Sequence, residues 1–392
     1  MSVIIVYFKG GFFMQEELLL TPGPTPIARR TYQAMSQGIF GHRTQRFKDL
    51  SASIQDRLKP VFGTDQDVVI LTATGTSTLE AAMVNLVAPG DDIVIIVSGV
   101  FGEKFKIIAE RYNYKVHIYD VEWGEAADPE AFKTFLSKLD SVQAVFTQAC
   151  ETSTSVLHPL KELGQVVQEY DQDTLFIVDA VSALGGTDIH MERDGIDCLV
   201  TGSQKALMLP PGLGFVGIND KALDKINQGP ETRYYLDLRM YLASLEEDYT
   251  PQTPAVTLYQ GLDDVLDIIH EEGLENVYKR HLKMQKMLRA GLRALDLKPL
   301  VNDDAASPTV TAVSSSEEEI ALIKDSLAQD YGISIAGGQK ILAGKIVRIG
   351  HMGFMFPKDM LTILSALEAI LSQSRQKDYY GKAIAAAQGA VK

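Results

Sequence analysis

Short apolar runs alternate with helical patterns between about residues 60 and 260, and this alternation is the feature that most constrains the fold. The continuous apolar runs at residues 93–97 and 175–178 are typical of strands that are buried on both faces. Between such runs, apolar residues recur at helical spacing, as at residues 79–87, where Pro89 and Gly90 end the pattern. The sequence therefore predicts an α/β domain around a mostly parallel sheet.

The pattern changes after residue 261, where a long helical stretch replaces the strand–helix alternation. Shorter strand and helix signals follow it, which is typical of a smaller α+β C-terminal domain. The tail from about residue 372 is Ala-rich and polar and is predicted to be a frayed helix or disordered. The predicted division is an N-terminal arm over residues 1–34, a large domain over 35–262 and a small C-terminal domain over 263–392.

Charge and cysteine usage narrow the class of protein. The 392 residues carry a net charge of −14 without a basic stripe, so the sequence does not indicate a nucleic-acid partner. No apolar run approaches the roughly 20 residues that span a bilayer, and we expect a soluble cytoplasmic protein with no membrane partner. Met14 is an alternative to Met1 as the first residue of the natural protein. Cys150 and Cys198 lie in or beside apolar runs without a Cys/His cluster, which predicts two buried thiols and no metal site.

Three polar features follow predicted strands at the points where those strands end. Gly75 precedes Ser77 and Glu80, a pair with the spacing of a helix capping box, and exposed N–H groups at a helix start suit a phosphate. Asp179 follows the run at 175–178, and Lys205 follows the run at 197–201. Each feature alone also has an ordinary structural explanation as a cap, a loop residue or a solvated charge.

Together the three features fit one cofactor, because the carboxyl ends of parallel strands meet at one edge of a sheet. Pyridoxal phosphate needs an anion site for its phosphate, a carboxylate at its pyridine nitrogen and a lysine that forms a Schiff base with its aldehyde. Burial lowers the pKa of a lysine and favours the neutral, nucleophilic amine. We therefore predict a pyridoxal-phosphate site that contains Asp179 and Lys205.

Seven segments then identify a family. They occur in one order along the chain: TPGPTP at 21–26, GHR at 41–43, LEAA at 79–82, ETST at 151–154, GSQKA at 202–206, TPAV at 253–256 and RIG at 348–350. Over about residues 18–371 the chain resembles the class V, fold-type I pyridoxal-phosphate enzymes. The resemblance is greatest to the branch of alanine–glyoxylate, serine–pyruvate and serine–glyoxylate aminotransferases.

The resemblance implies roles for individual residues. Lys205 would hold the cofactor covalently and act in catalysis, and Asp179 would pair with the ring nitrogen. Val181 would pack on one face of the ring and Phe101 on the other. The remaining implied site residues are Gly75, Thr76, Ser77 and Gln204 at the cofactor phosphate, Thr152 near the ring hydroxyl, Thr250 and Thr253 at the cofactor across a subunit interface, and Gly23, Gly41 and Arg348 at the substrate, with Arg348 as the carboxylate clamp.

The implied activity is a ping-pong transfer of an amino group from alanine or serine to glyoxylate or pyruvate, in a homodimer with shared active sites. Phe101, Thr76 and Thr250 differ from the Trp, His and Tyr of the best-known animal members, which leaves the substrate open. Alternatives are an aminotransferase for ureidoglycine, aminoethylphosphonate or phosphoserine, or a non-catalytic scaffold subunit. A cysteine desulfurase is disfavoured, because it needs a thiol on a C-terminal-domain loop and the last cysteine is Cys198.

Overall fold

The computed structural model describes residues 3–8, 11–229 and 233–392. Its strands are β1 Val3–Phe8, β2 Gly11–Glu16, β3 Leu18–Leu19, β4 Val69–Leu71, β5 Asp92–Val97, β6 Lys115–Asp120, β7 Ala144–Gln148, β8 Cys150–Glu151, β9 Val156–Leu157, β10 Leu175–Asp179, β11 Cys198–Gly202, β12 Gly214–Ile218, β13 Lys298–Pro299, β14 Val310–Ser314, β15 Ile333–Ser334, β16 Ala336–Gly337 and β17 Ile346–Gly350. Its helices are α1 Arg29–Met35, α2 Gln45–Phe62, α3 Gly75–Leu86, α4 Val100–Arg111, α5 Pro129–Leu136, α6 Leu160–Tyr170, α7 Asp220–Gln228, α8 Leu238–Leu245, α9 Val256–Glu272, α10 Leu274–Ala294, α11 Glu317–Tyr331, α12 Pro357–Arg375 and α13 Lys382–Gly389.

A seven-stranded sheet forms the centre of the molecule, in the order β4-β12-β11-β10-β7-β5-β6. The strands from β11 to β6 are parallel to their neighbours, whereas β12 runs antiparallel to both β11 and β4. The predicted α/β fold with a mixed, mostly parallel sheet is confirmed. The carboxyl ends of β10 and β11 therefore lie side by side at one edge.

The continuous apolar strands are explained by helices on both faces of the sheet. Along β5, Val94 and Ile96 point into a core that includes α2, whereas Ile93 and Ile95 point into a second core that includes α3 and α4. Because successive side chains of a strand face opposite ways, burial on both sides requires apolar residues at every position.

A four-stranded antiparallel sheet, β13-β14-β17-β16, packs with α10, α11 and α12 in the C-terminal part. The predicted domain boundary after residue 262 stays a prediction. Helix α9 crosses that position, and its Val265, Leu266 and Ile269 belong to the same apolar core as α2.

The predicted frayed or disordered tail is wrong. The chain continues from α12 into α13, whose Ala383 and Ala387 are fully buried. The buried carboxylate of Glu368 explains this ordering, because it accepts hydrogen bonds from Ala383 N at 2.7 Å and Ile384 N at 3.0 Å. A carboxylate on the free amides at a helix start stabilises that helix.

The segment at residues 18–26 connects the C-terminal part to the edge of the large sheet. Strand β3 pairs with β15, and Gly350 N at the end of β17 donates to Leu20 O at 2.7 Å. Five residues later, Thr25 Oγ1 donates to Lys205 O at 2.8 Å. Met14 lies in β2 and Met1 lies outside the described residues, so the choice between these two starts stays a prediction.

Candidate active site

Asp179 and Lys205 lie together at the carboxyl ends of β10 and β11. Asp179 is the last residue of β10, and Lys205 follows the end of β11. The Asp179 side chain is buried, and its Oδ1 accepts from Val181 N at 2.8 Å. Among the described residues, Oδ2 has no hydrogen-bond partner. Burial raises the pKa of Asp179 to about 6, although the nearby positive charges of Lys104 and Lys205 lower it.

Lys205 is half-buried against residues 22–25. Its Nζ donates to Pro22 O, and a Cβ on Gly23 would lie 2.6 Å from Lys205 Cδ, Cε and Nζ. The φ of +125° at Gly23 also favours glycine. Burial lowers the pKa of Lys205 to about 8, so about a tenth of the amine is neutral at pH 7.

Close backbone approach forms a cradle beside Lys205, between the start of α3 and the end of β11. A Cβ on Gly75 would lie 3.0 Å from Val181 Cγ2, and a Cβ on Gly202 would lie 3.3 Å from Gly75 N. The buried Gln204 Oε1 next to Gly202 has no hydrogen-bond partner. The two glycines therefore leave space beside the Gln204 oxygen, which lacks a hydrogen-bond partner.

The predicted capping box at Ser77 and Glu80 is wrong. Helix α3 begins at Gly75, its N-cap residue is Thr74, and no side chain caps it. Glu80 instead accepts a hydrogen bond from Tyr112 Oη. Within the described chain the N–H groups of residues 75 and 76 have no acceptor, and such first-turn amides can bind an anion.

Arg348 is a buried cation on β17 with no acidic partner. Its Nε donates to Gly337 O at 2.9 Å, and an Nη donates to Thr152 O at 3.1 Å. No carboxylate of the described residues lies within 4.0 Å of the guanidinium. Burial lowers the pKa of Arg348 from its ordinary value, and the charge of Arg348 in turn lowers the pKa of Lys205. An anionic ligand near Lys205 would therefore find an unpaired guanidinium.

Thr152 connects this arginine to the loop after Asp179. Its Oγ1 donates to Ser182 Oγ at 2.6 Å, while its carbonyl oxygen accepts from Arg348. Thr309 Oγ1 on the adjoining loop donates to Ser182 O at 2.6 Å. The C-terminal sheet and the loop at Asp179 are thereby held in one hydrogen-bonded unit.

Phe101 is held at the start of α4 by Glu151, which sequence reasoning did not assign to the site. Oε2 of the fully buried Glu151 accepts from Phe101 N at 3.0 Å and Gly102 N at 3.2 Å. Its Oε1 accepts from Ser153 N at 3.0 Å and Ser153 Oγ at 2.5 Å. The signal in the sequence was weak, because four residues separate Glu151 from the apolar strand run at residues 144–146.

Lys104, one turn after Phe101 on α4, is a second residue that sequence reasoning missed. Its Nζ lies 4.8 Å from the centroid of the Phe101 ring and donates to Thr76 Oγ1 at 3.4 Å. A helical spacing of three residues between an aromatic and a basic residue was the available signal.

Gly41, Thr250 and Thr253 make no hydrogen bond to Asp179 or Lys205 within the described part of one chain. Gly41 and Thr253 are exposed, and Thr250 Oγ1 donates to Gln252 O at 2.8 Å. Among the described residues, no hydrogen bond or ion pair joins any of the three to Lys205. Ser77 lies half-buried in the first turn of α3, and its side chain makes no recorded hydrogen bond within the described structure.

The two thiols lie in the interior. Cys150 and Cys198 are unpaired and buried, as predicted, and burial raises the pKa of Cys150 to about 12. The described residues contain no group of three His, Cys, Asp or Glu side chains that could hold a metal ion. Within the same residues, no helix has the length and apolar character needed to cross a membrane.

Residues 29–355 match the family model Aminotransferase class-V. An uncharacterized aminotransferase of Methanocaldococcus jannaschii is 41% identical over 91% of this chain and 93% of its own length. The soluble hydrogenase 42 kDa subunit of Anabaena cylindrica is 35% identical over 94% of this chain and 97% of its own length. The serine–glyoxylate aminotransferase of Arabidopsis thaliana is 32% identical over 94% of each chain.

Several solved aminotransferase structures share this architecture. Pyridoxamine–pyruvate aminotransferase from Mesorhizobium loti superposes with a TM-score of 0.91 at 29% identity and covers 99% of each chain. Ureidoglycine–glyoxylate aminotransferase from Bacillus subtilis superposes with a TM-score of 0.88 at 31% identity, over 96% of this chain and 98% of its own.

Proposed function

We propose a substrate class and residue roles for this chain, which belongs to the class V aminotransferases and uses pyridoxal phosphate. The proposed reaction transfers an amino group from alanine or serine to glyoxylate or pyruvate. The acceptor choice is supported by relatives and structural neighbours whose names contain glyoxylate or pyruvate. Because their named donors differ, the donor choice rests on the sequence resemblance.

The residues present fit this cofactor. The free first-turn amides at Gly75 and Thr76 suit its phosphate, and the open Oδ2 of Asp179 suits a protonated ring nitrogen. Gln204 would add a polar group at the phosphate, and Val181 and Phe101 would enclose the ring. When bound, pyridoxal phosphate supplies an electron sink for the bonding electrons of the substrate α-carbon.

Asp179 and Lys205 divide the proton chemistry in this proposal. Above about pH 6 the Asp179 carboxylate is ionised and would keep a proton on a nearby ring nitrogen. The Lys205 amine, with its pKa lowered to about 8 by burial, would accept the proton from the substrate α-carbon as a general base. Its position against Gly23 limits the space through which Nζ can move.

The observation that supports an amino-acid substrate is that Arg348 is buried and has no carboxylate partner among the described residues. A buried guanidinium keeps its charge, and a bidentate carboxylate is the ligand that matches its geometry. The hydrogen bonds to Gly337 O and Thr152 O fix its orientation before a substrate arrives. We propose that Arg348 binds the substrate α-carboxylate, with Thr152 near the ring hydroxyl of the cofactor.

A homodimer with shared sites would account for Gly41, Thr250 and Thr253, which make no hydrogen bond to Lys205 within the described part of one chain. The carbonyl oxygen of Arg43 accepts from Tyr249 Oη at 3.2 Å, so two of the segments that carry these residues already touch. We propose that this surface reaches the active site of a second subunit. The two unpaired thiols are consistent with a reducing compartment such as the cytoplasm.

The test is the visible absorption spectrum of the purified protein with pyridoxal phosphate. L-alanine and L-serine are added one at a time, and the converted protein is then given glyoxylate or pyruvate. We expect the visible band to disappear with one donor and to return with one acceptor. A spectrum that responds only to ureidoglycine, aminoethylphosphonate or phosphoserine would refute the proposed donor class while keeping the enzyme assignment.

A non-catalytic subunit is the second candidate, because a relative at 35% identity is named a soluble hydrogenase subunit. A non-catalytic subunit would have no use for Lys205, Asp179 and Arg348 together. The same spectra separate the two functions. A protein that stays colourless with added pyridoxal phosphate, and is unchanged by Lys205→Ala, would favour the scaffold.

A further inference from the structure

Lys104 directs its side chain towards the cradle at the start of α3. Its Nζ lies 3.4 Å from Thr76 Oγ1 and 4.8 Å from the centroid of the Phe101 ring. Helix α4 therefore carries two side chains towards the same site, an aromatic ring and, one turn later, an ammonium group.

The surroundings of Lys104 differ from those of its neighbours on α4. Glu103 lies 3.9 Å from Lys340, and Lys106 lies 4.0 Å from Glu110. Lys104 is half-buried, and no carboxylate of the described residues lies within 4.0 Å of its Nζ. Its positive charge is thus left without an acidic partner beside the candidate cofactor site.

The cradle itself lacks a charged group. Gly75, Thr76, Ser77 and Gln204 are neutral, whereas a phosphate monoester carries roughly 1.5 to 2 negative charges near pH 7. Amide donors at a helix start compensate such a charge only in part, and a nearby ammonium group strengthens the site.

We propose that Lys104 binds the phosphate of pyridoxal phosphate together with Thr76 and the first-turn amides of α3. This inference rests on the cofactor placement proposed above. The charge of Lys104 also lowers the pKa of Asp179, which supports a position of the ammonium group inside the site. The same ammonium group could instead bind a second anionic group of the substrate, and the experiment separates these two sources.

The experiment measures the affinity of cofactor-free protein for pyridoxal phosphate and for pyridoxal, which lacks the phosphate. The variants are Lys104→Met, Lys104→Arg and, as a matched control on the same helix, Lys106→Met. Charge-assisted hydrogen bonds predict that Lys104→Met weakens pyridoxal-phosphate binding by about 10- to 100-fold and pyridoxal binding by less than about twofold. Lys104→Arg should recover most of the affinity, and Lys106→Met should match the wild type.

Equal weakening for pyridoxal phosphate and pyridoxal would overturn the proposal, because Lys104 would then act on the ring or on the fold. Unchanged affinity for both would overturn it as well. If cofactor affinity is unchanged but the reaction with L-aspartate falls relative to L-alanine, the anion belongs to the substrate and the proposal is wrong. Wild-type protein that binds no pyridoxal phosphate would refute the proposed function itself.

Discussion

Replacing Glu151 with Gln should loosen the start of α4, which carries Phe101, a residue of the proposed cofactor site. The Glu151 carboxylate accepts four hydrogen bonds and donates none. Two of the four come from Phe101 N and Gly102 N, which are first-turn amides and have no acceptor within the helix. Because the carboxylate is fully buried, water cannot replace it as the acceptor.

The expected loss of stability at the helix start follows from the hydrogen bonds that a glutamine side chain can and cannot accept. Gln has one side-chain acceptor oxygen and one NH₂ group, so the NH₂ must face either the two α4 amides or Ser153 N. In the orientation that keeps the α4 pair, the bond from Ser153 N is lost, and the two α4 amides bond a neutral oxygen instead of a carboxylate. A hydrogen bond is worth about 1.5–3 kcal/mol to a charged group and about 1 kcal/mol to a neutral one, so the weakening of the two α4 bonds should make local opening of the helix start easier by about 2–3 kcal/mol.

Hydrogen exchange measured by mass spectrometry on the peptide at residues 98–105 tests this prediction. A decrease of about 2–3 kcal/mol in the free energy of local opening makes exchange faster by about 30- to 150-fold, since about 1.4 kcal/mol is a factor of ten. Glu110→Gln is the matched control, because Glu110 is exposed on the same helix and its recorded partner is Lys106 at 4.0 Å. Exchange of this peptide within about threefold of the wild type would refute the role of Glu151 in holding Phe101.

Gly23→Ala should reduce cofactor incorporation in protein that keeps its circular dichroism, because the new Cβ would lie 2.6 Å from three Lys205 side-chain atoms. Full incorporation, measured by absorbance, would show that Lys205 can move aside. Asp179→Asn should change how the stability of the cofactor-free protein depends on pH. Burial raises the pKa of Asp179 to about 6, so the folded state gains stability as pH falls through 6. In urea unfolding, the wild type should gain about 1.4 kcal/mol relative to Asp179→Asn between pH 8 and 5, and parallel pH profiles would contradict this. Arg348→Lys should lower kcat/KM for the amino donor by about 10- to 100-fold, since a lysine cannot form the bidentate pair. A loss confined to cofactor affinity would argue against the carboxylate clamp.

The sheet was predictable because its signal is local and repeated. Strands β5 and β10 are continuous apolar runs, and both lie in the parallel part of the sheet. Asp179 and Lys205 were found by the same logic, since Asp179 directly follows such a run and Lys205 follows the run at residues 197–201 after three residues. The capping box failed because Ser77 and Glu80 fit the pattern wherever the helix begins, and only packing decides that it begins at Gly75.

Glu151 and Lys104 could not be found this way, because each acts through partners far along the chain. Glu151 binds the amide of Phe101 from 50 positions away, and Lys104 reaches Thr76 from 28 positions away. Helical or strand periodicity carries no information about such pairs. The ordered tail was missed for a similar reason, since Glu368 bonds Ala383 N from the preceding helix across 15 positions.

The segment at residues 18–26 sets an order in which the site can be completed during synthesis of the chain. It leaves the ribosome early, yet its anchors are β15 and the end of β17 at Gly350, which emerge more than 300 residues later. Its Pro22 and Thr25 then meet Lys205, which lies in the middle of the chain. A nascent chain that ends before β17 can therefore form much of the large sheet but lacks one wall of the lysine site. If Lys205 holds the cofactor as proposed, its capture would require nearly the whole chain to be synthesised.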